Sequence, residues 1–282
     1  MQYTHILLRY GEIFLKGRNR HYFEKKLQDN IIKLTSIKHI KRLQGRFITD
    51  FIEDHHKLRQ VFGLVSYSPA IMVSKEIPLI QKRLLDLLEG KKGTFRITVK
   101  RSDKNFPIKS PELTTLLGQY VEKETELRFD REKHDYLIEV EINDNGVYFS
   151  SEVKYCFGGI PTGVDGKVLT LVDSPPDVLA ALLMMKRGVS IYPFSIIGGG
   201  DISLLQKYSP QKLSCSKLET SEQIEKYALL YNCSMMVTGE RMETITSSQS
   251  FAKSSFGVLR PLIAYDEERI DKELAAFNSL SI

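Results

Sequence analysis

The sequence predicts an α+β protein followed by an α/β domain, and three observations support this fold class. Residues 5–75 follow the order β-α-β-β-α-β, which is that of a ferredoxin-like module. Residues 76–165 continue with helices and strands of a second α+β segment. After Lys167 strands and helices alternate, which is typical of a parallel sheet flanked by helices. We therefore expect three domains, at residues 1–75, 76–165 and 166–282.

The elements of the first segment follow from periodicity and turn residues. HILLRYGEIF predicts a strand with an early turn, and RNRHYFEKKLQDNIIKL has apolar residues at helical spacing. HIKRLQGRFITDFI alternates like a hairpin that is broken at Gln44 and Gly45. HKLRQVFG predicts a short helix ending at Gly63, and VSYSPAIMVSKEI predicts the closing strand.

The second segment is equally regular up to a glycine-rich stretch. IPLIQKRLLDLLEGKK is an amphipathic helix that stops at Gly90, and TFRITVKR is a strand. The helix SPELTTLLGQYVEKET begins with Ser110 and Pro111. YLIEVEIN and GVYFSSEVK are strands joined by an Asp-Asn-Gly turn. The stretch YCFGGIPTGVDGK, with four glycines, predicts a linker.

The composition is that of a globular protein without a membrane segment. It is 42% hydrophobic and 27% charged, and the longest apolar run, Val178 to Met185, is too short to span a bilayer. The N-terminus lacks the features of a signal peptide. The widely spaced Cys156, Cys215 and Cys233 predict neither disulfides nor a zinc site. We expect a cytoplasmic protein with no bound metal.

The net charge of +5 is distributed unevenly along the chain. Residues 1–109 hold 23 Lys and Arg against 10 Asp and Glu, whereas residues 110–165 hold 5 against 12. Residues 166–282 are close to balanced, with 12 against 13. A basic excess of this size in the first segment favours a polyanionic partner.

The first turn of the α/β segment lies between a strand and a helix, as in nucleotide-binding sites, but its residues are unusual for such a site. KVLTL and VLAALLMMK predict a strand and a helix, and the turn between them, where phosphate usually binds, reads DSPPD. Pro175 and Pro176 remove two backbone N–H donors, and Asp173 and Asp177 add negative charge. Ser174 fits the N-cap of the helix, with Asp177 at its third position. The residues predict a helix start that is closed to phosphate.

Several strings of the chain carry a family resemblance. They are RYGEIFLKGRNRHYFEKKLQDNI, VKRSDKNFPIKSPEL, FGGIPTGVDGKVLTL, ALLMMKRG, MMVTGE and LRPLIAYDEERI. In this order they resemble the tRNA 4-thiouridine synthetase (tRNA sulfurtransferase) family over nearly the whole chain. The resemblance implies a ferredoxin-like domain, a THUMP domain for tRNA and a reduced Rossmann-like domain of the PP-loop pyrophosphatase type. Active members adenylate a uridine with ATP before sulfur replaces its oxygen.

The chain departs from this family at the nucleotide site. The family pattern SGGxDS aligns without gaps on Val172 to Asp177, and an alignment on the DSP of residues 173–175 still leaves both glycines missing. Thr238, Gly239 and Glu240 match the family, but its GQxxSQ continuation here reads ETITSS, residues 243–248. We therefore predict a degenerate ATP site. No cofactor is expected, and ATP only if the diverged loop still binds it.

The sulfur-handling part of the family also lacks a match. In the family a cysteine follows the RPL segment, and neither that position nor a rhodanese-like domain is reached by this sequence. The three cysteines present are more typical of small core side chains than of nucleophiles. The triple glycine 198–200 before Asp201 is more typical of a strand-to-helix turn than of a cofactor loop. We assign no catalytic residue, and whether the chain is itself an enzyme stays open.

Basic residues predict the RNA contacts. Lys100, Arg101, Lys104 and Lys109 flank the loop before helix 110–125, with Phe106 among them as a stacking face for a base. These residues alone fit a solvated charged loop equally well, and the resemblance favours RNA. A second cluster lies in the first segment, and Arg46 in the hairpin is a third candidate. The second cluster is Arg9, Lys16, Arg18 and Arg20.

These observations lead to one hypothesis and two alternatives. We expect a tRNA-binding protein that acts in tRNA thiolation or a similar modification by presenting the acceptor 3′ end, with a modification enzyme or sulfur carrier as a further partner. The first alternative is an active ATP-dependent sulfurtransferase that uses a diverged site. The second is a tRNA-binding scaffold whose last domain forms a homodimer. The sequence does not identify the tRNA, the nucleoside or the sulfur donor.

Overall fold

The computed structural model describes residues 3–43, 45–245 and 257–279. Contacts between residues divide the chain into two compact units. The first unit contains the residues up to Arg9, together with His39–Glu53 and Ser66–Lys154. The second contains Tyr10–Lys38, Asp54–Val65 and the chain from Tyr155 onward. The division into three domains at residues 75 and 165 stays a prediction.

Among the described residues, nine strands and three helices precede Lys167. The strands form one mixed sheet in the order β2-β3-β1-β4-β8-β7-β5-β6, with β9 paired to β4. The strands are β1 (His5–Tyr10), β2 (Lys41–Leu43), β3 (Arg46–Asp50), β4 (Leu64–Val73), β5 (Thr94–Arg101), β6 (Arg128–Phe129), β7 (Tyr136–Asn143), β8 (Gly146–Ser150) and β9 (Lys154–Tyr155). The helices are α1 (Arg20–Leu34), α2 (Ile77–Leu88) and α3 (Ser110–Glu124).

The predicted ferredoxin-like order is present in this sheet. β1 pairs antiparallel with β3, β3 pairs with β2, and β4 lies on the other side of β1. The predicted second helix of the module is only a short 3₁₀ segment, His55–Gln60. A second 3₁₀ segment, Glu12–Asn19, connects β1 to α1 and is kinked at Gly17, where φ is 51°. The predicted hairpin break falls on Gly45 and on Gln44, which lies outside the described residues.

The second half of the sheet buries a core that the sequence pattern only partly predicts. β5 pairs parallel with β7, and β7 pairs antiparallel with β8. Apolar residues of α2 and α3 cover this part of the sheet, among them Leu84 and Leu117. Phe106, which we expected to be an exposed stacking face, is only 3% exposed and belongs to this core. That expectation is wrong: the loop before α3 folds its one aromatic side chain inward, because burying a phenyl ring stabilises the fold.

The strands after residue 166 form a separate parallel sheet, as predicted. In the described residues its order is β12-β11-β10-β13-β14, and every pair is parallel. The strands are β10 (Lys167–Leu171), β11 (Ser190–Ser195), β12 (Ser216–Lys217), β13 (Met235–Val237) and β14 (Gly257–Leu259). The helices are α4 (Pro175–Lys186), α5 (Ser203–Tyr208), α6 (Ser221–Tyr231), α7 (Met242–Ile245) and α8 (Glu267–Ser279).

The central helix α4 is apolar on nearly all sides, because it is surrounded by other elements. It contacts β10, β11 and β13 of the sheet as well as α5 and α8. Leu179, Leu182 and Met185 are fully buried. A helix without a polar face is stable only in such surroundings. The position of α4 therefore fixes the loops at the carboxyl ends of the strands beside it.

The glycine-rich stretch before β10 is packed, although we expected a linker. Ile160 and Thr162 are buried, and the Thr162 hydroxyl donates to the Met185 carbonyl at 3.1 Å. The buried Asn30 of α1 donates to the Thr162 carbonyl at 3.0 Å. Backbone conformations with positive φ at Gly158, Gly159 and other glycines let the stretch follow α1 and α4 closely. This packing joins α1 to the α/β sheet within the second unit.

Replacing Phe106 with alanine tests its core position. We expect a loss of about 3–5 kcal/mol in the free energy of unfolding, which is typical for removing a buried phenyl ring. Phe129→Ala is the matched control, because Phe129 is 39% exposed and loses less contact. Urea denaturation followed by circular dichroism measures both. Equal losses for the two variants would contradict the assignment of Phe106 to the core.

Candidate functional site

The start of α4 is held by the side chains of its own turn. The Ser174 hydroxyl donates to Oδ2 of Asp177 at 2.6 Å, and Oγ of Ser174 accepts the Asp177 backbone N–H at 3.4 Å. Pro175 and Pro176 have no backbone N–H to offer. Because Asp177 is only 5% exposed, its carboxylate lies inside the protein rather than at the mouth of the turn. The N-cap that the sequence predicts at Ser174 is present.

The same carboxylate binds the loop after β13. The Gly239 backbone N–H donates to Oδ1 of Asp177 at 2.6 Å. A methyl group on Gly239 would lie 2.4 Å from the Asp177 nitrogen, so only glycine fits against this helix start. Thr238 is fully buried and donates to Glu240 at 3.2 Å, and Arg260 pairs with Glu240 at 2.7 Å. The matching residues 238–240 therefore support the helix start. Of the predicted continuation, Thr246 to Ser248 lie outside the described residues.

The second aspartate of the turn is also used within the protein. Oδ2 of Asp173 accepts the Ile196 backbone N–H at 2.9 Å, and Oδ1 accepts the Ser195 hydroxyl. The Ser195 oxygen in turn accepts the Gly198 N–H at 2.8 Å. Backbone N–H groups of this kind are the donors that bind phosphate in nucleotide loops. Here, side-chain oxygens of the protein occupy them.

A cavity of about 360 Å³ lies beside this turn, at the carboxyl ends of β10 and β11. Asp173, Asp201 and the glycines 198–200 line it, with Leu274 from α8. None of its described lining residues is Lys or Arg. Gly200 lies so close to Val172 that a Cβ atom added at Gly200 would be 2.7 Å from a methyl carbon of Val172. This close approach explains why the turn has a glycine there.

The three cysteines of the second unit are poor nucleophiles, and its Asp177 carboxyl is buried. Burial raises the pKa of Asp177, while the bonds from Ser174 and Gly239 lower it by less. Burial also raises the pKa of Cys156 to about 12 and that of Cys233 to about 11, and it raises the pKa of Cys215. A thiol must ionise to attack. Within the described residues, no group of three or more His, Cys, Asp or Glu side chains could hold a metal ion.

The loop before α3, which we predicted to bind RNA, contains two kinds of basic residue. Arg101 points to the loop itself and donates to the carbonyls of Phe106 at 2.7 Å and Ile108 at 3.2 Å. It therefore stabilises the loop. Lys104 and Lys109 are exposed, and Lys100 is 57% exposed with one ion pair to Glu139 at 3.3 Å. An exposed pair of this kind is weak, so the three lysines can reach a ligand.

Arg9 and Arg46 of the predicted set bind carboxylates of the first unit. Arg9 pairs with Glu139 at 3.0 Å and with Glu141 at 3.1 Å, and Arg46 pairs with Glu141. Arg9 also donates to the Ser68 hydroxyl at 2.8 Å. Sequence reasoning missed this network. The alternation of YLIEVEIN places Glu139 and Glu141 on one face of β7 and could have indicated it.

The second predicted cluster is divided between a packed and an exposed part. Arg20 donates to Glu24 at 2.7 Å, and Tyr10 donates to the same oxygen at 2.5 Å. Burial and the bond to Glu24 raise the pKa of Tyr10 to about 12. Lys16 lies over the Phe23 ring at 5.0 Å, and Arg18 is exposed. Only Lys16 and Arg18 of this cluster extend from the surface without a carboxylate partner among the described residues.

Comparison with known proteins first defines the class. A model of the ThiI ferredoxin-like domain matches residues 5–68, and a model of the THUMP domain matches residues 80–152. The chain thus combines a ferredoxin-like domain and a THUMP domain, and these are followed by the α/β domain after residue 166. No helix in the described ranges is long and apolar enough to cross a membrane.

Curated relatives then give the family. The chain is 31% identical to a probable tRNA sulfurtransferase of Staphylococcus aureus, over 99% of this chain and 83% of the relative. It is 37% identical to that of Mycoplasmopsis synoviae, over 67% of this chain and 50% of the relative. The chain belongs to the tRNA sulfurtransferase family. It spans about half the length of several of the curated relatives it matches.

Two solved structures resemble the whole chain. One is that of PH1313 from Pyrococcus horikoshii, with a TM-score of 0.84 and 28% identity over 98% of this chain and 99% of that one. The other is a 4-thiouridine synthetase in complex with RNA and ATP, with a TM-score of 0.81 and 25% identity over 99% of this chain and 86% of that one. These matches confirm the predicted fold class.

Replacing Gly239 with alanine tests the contact between the two loops. We expect a loss of about 1–3 kcal/mol in stability, because the new methyl group collides with the backbone at the start of α4. Gly257→Ala is the control, since its methyl group would meet only side-chain atoms at 3.7 Å or beyond. Thermal denaturation and amide exchange in α4 measure both. A Gly239 variant as stable as the control would refute the contact.

Proposed function

We propose that this chain binds tRNA and acts in tRNA modification without an ATP-adenylation site of its own. The observation that carries the second part is the use of Asp177 as an internal ligand of both loops. The family membership and the THUMP match support the first part. Binding of ATP distinguishes this function experimentally from that of an active sulfurtransferase.

The electrostatics of the turn argue against a triphosphate. A helix N-terminus favours an anion by about 0.3–1 kcal/mol at exposed positions. Two like charges about 4 Å apart repel each other by about 1 kcal/mol in water and about 4 kcal/mol near a protein surface. Asp173 and Asp201 at the cavity would each add such repulsion. Because the backbone N–H groups of Ile196, Gly198 and Gly239 are engaged as well, we expect the repulsion to exceed the attraction.

The tRNA part rests on charge and on exposure. Lys100, Lys104 and Lys109 surround the start of α3, where they can contact phosphates. With Phe106 buried, contact at this loop depends on charge and hydrogen bonds rather than on a stacked base. An unpaired RNA end offers phosphates and base edges together. We therefore retain the acceptor 3′ end as the part of the tRNA that is bound here.

Calorimetric titration with Mg-ATP tests the nucleotide site. We expect no binding at micromolar ATP, because the donors and charges of the turn oppose a triphosphate. The 4-thiouridine synthetase whose structure contains ATP serves as the positive control. Micromolar, magnesium-dependent binding by this chain would favour the alternative of an active sulfurtransferase with a diverged site.

Replacement of Lys100, Lys104 and Lys109 with alanine tests the tRNA contact. We expect weaker tRNA binding and a salt dependence reduced by about 0.7 per lost phosphate contact. The charge-matched control replaces Lys82, Lys123 and Lys133, which are exposed elsewhere in the first unit. Fluorescence anisotropy at several salt concentrations measures the slope.

A tRNA lacking its unpaired 3′ end completes this experiment. It should bind the wild-type chain more weakly than full-length tRNA, whereas changes in the anticodon loop should have little effect. Equal affinity for trimmed and full-length tRNA would reject the 3′ end as the bound part. Equal slopes for the two triple variants would reject the lysines of the loop.

A further inference from the structure

The second unit contains a groove that the nucleotide turn does not use. Its volume is about 730 Å³, and it lies between the end of α4, the segment after β14 and the first turns of α8. Four cations and two carboxylates line it: Lys186, Arg187, Arg260, Arg269, Glu12 and Glu273. Asp177 and Lys186 lie nine residues apart on α4, or about 14 Å along the helix at 1.5 Å per residue. The groove is therefore separate from the turn at the helix start.

Two of these cations have no carboxylate partner among the residues that the structure describes. Arg260 pairs with Glu240 at 2.7 Å, and Arg269 pairs with Glu273 at 3.2 Å. Lys186 and Arg187 form no ion pair with any described residue, and Arg187 is exposed. The groove also contains the carboxylate of Glu12, for which no ion pair with a described residue is found, so the four cations exceed the two carboxylates and the net positive charge attracts anions.

The backbone holds these two residues in place. The Ile160 N–H donates to the Lys186 carbonyl at 3.0 Å. Gly159 approaches so closely that a methyl group there would lie 2.3 Å from the same carbonyl oxygen. At Gly159 φ is 79°, a conformation that glycine adopts readily. A fixed backbone reduces the entropy that the side chains lose when they bind a ligand.

We propose that this groove binds the phosphodiester backbone of RNA, as a second contact in addition to the loop before α3. The proposal rests on the proposed tRNA binding. A groove of this volume has room for more than a single phosphate. Arg269 lies over the Tyr265 ring at 3.7 Å, so a planar cation and an aromatic ring line one wall. Such surfaces suit nucleotides, whose phosphates pair with cations while their bases stack. This favours RNA over an acidic protein.

The test neutralises the two unpaired cations in the full chain. The groove variant combines Lys186→Gln with Arg187→Gln, which retains much of the length of both side chains. The control variant combines Lys207→Gln with Lys212→Gln, two exposed lysines of the same unit. Anisotropy with labelled tRNA and with a labelled single-stranded RNA of about eight nucleotides measures affinity against salt. We expect the groove variant to bind about tenfold more weakly at 0.1 M salt, with a slope reduced by about 1.4, or about 0.7 for each of two lost phosphate contacts. The control pair should match the wild type.

The outcomes separate this proposal from the proposed function. If the wild type binds tRNA and the groove variant has the same affinity and slope, the groove proposal is overturned while tRNA binding stands. If the wild type fails to bind tRNA but binds the short RNA through the groove, the proposed function fails and the groove proposal stands. Binding of neither RNA overturns both. Equal melting temperatures of the two variants show that folding does not cause the difference.

Discussion

The buried carboxylate of Asp177 connects the loop after β10, the start of α4 and the loop after β13. It accepts the hydroxyl of Ser174 and the backbone N–H of Gly239, each at 2.6 Å. Hydrogen bonds to a charged group contribute about 1.5–3 kcal/mol each, and a buried carboxylate without them is strongly unfavourable. Because α4 contacts three strands and two helices, the order of the α/β sheet depends on this helix start.

One set of backbone donors cannot serve the fold and a phosphate at the same time. In a glycine-rich loop the N–H groups remain open, and the ligand completes their hydrogen bonds. Here Asp177, Asp173 and Ser195 accept the backbone N–H groups of three residues in the loops after β11 and β13, namely Gly239, Ile196 and Gly198. A loop satisfied in this way is stable without a ligand, whereas an open loop leaves donors for water or nucleotide. This physical difference allows an α/β domain to be stable when side-chain oxygens take the place of a ligand in its loops.

Sequence reasoning succeeded where the interactions are local. β5 and β7 have the predicted bounds, because alternation of side chains is a property of a few successive residues. The N-cap at Ser174 could also be predicted from the sequence, since its partner Asp177 is three residues away. The burial of Phe106 could not be predicted from the sequence, because it depends on α3 and on strands distant in sequence. The same holds for Asn30, whose partner Thr162 lies 132 residues away. A residue's type and its neighbours in sequence do not specify such contacts.

The distribution of charge shows why basic residues alone do not define an RNA surface. The first 109 residues carry 23 Lys and Arg, and the next 56 carry 12 Asp and Glu. In the folded first unit some of these opposite charges meet, as Arg9 and Arg46 do at Glu141. Because Glu141 is only 4% exposed, its charge requires these partners, and the two arginines are held by the fold. Exposed lysines without an ion pair to a described residue, such as Lys104 and Lys109, retain positive charge for a ligand. The excess of Lys and Arg in the sequence predicts a positively charged surface. Where that surface lies depends on which of these cations form ion pairs within the protein.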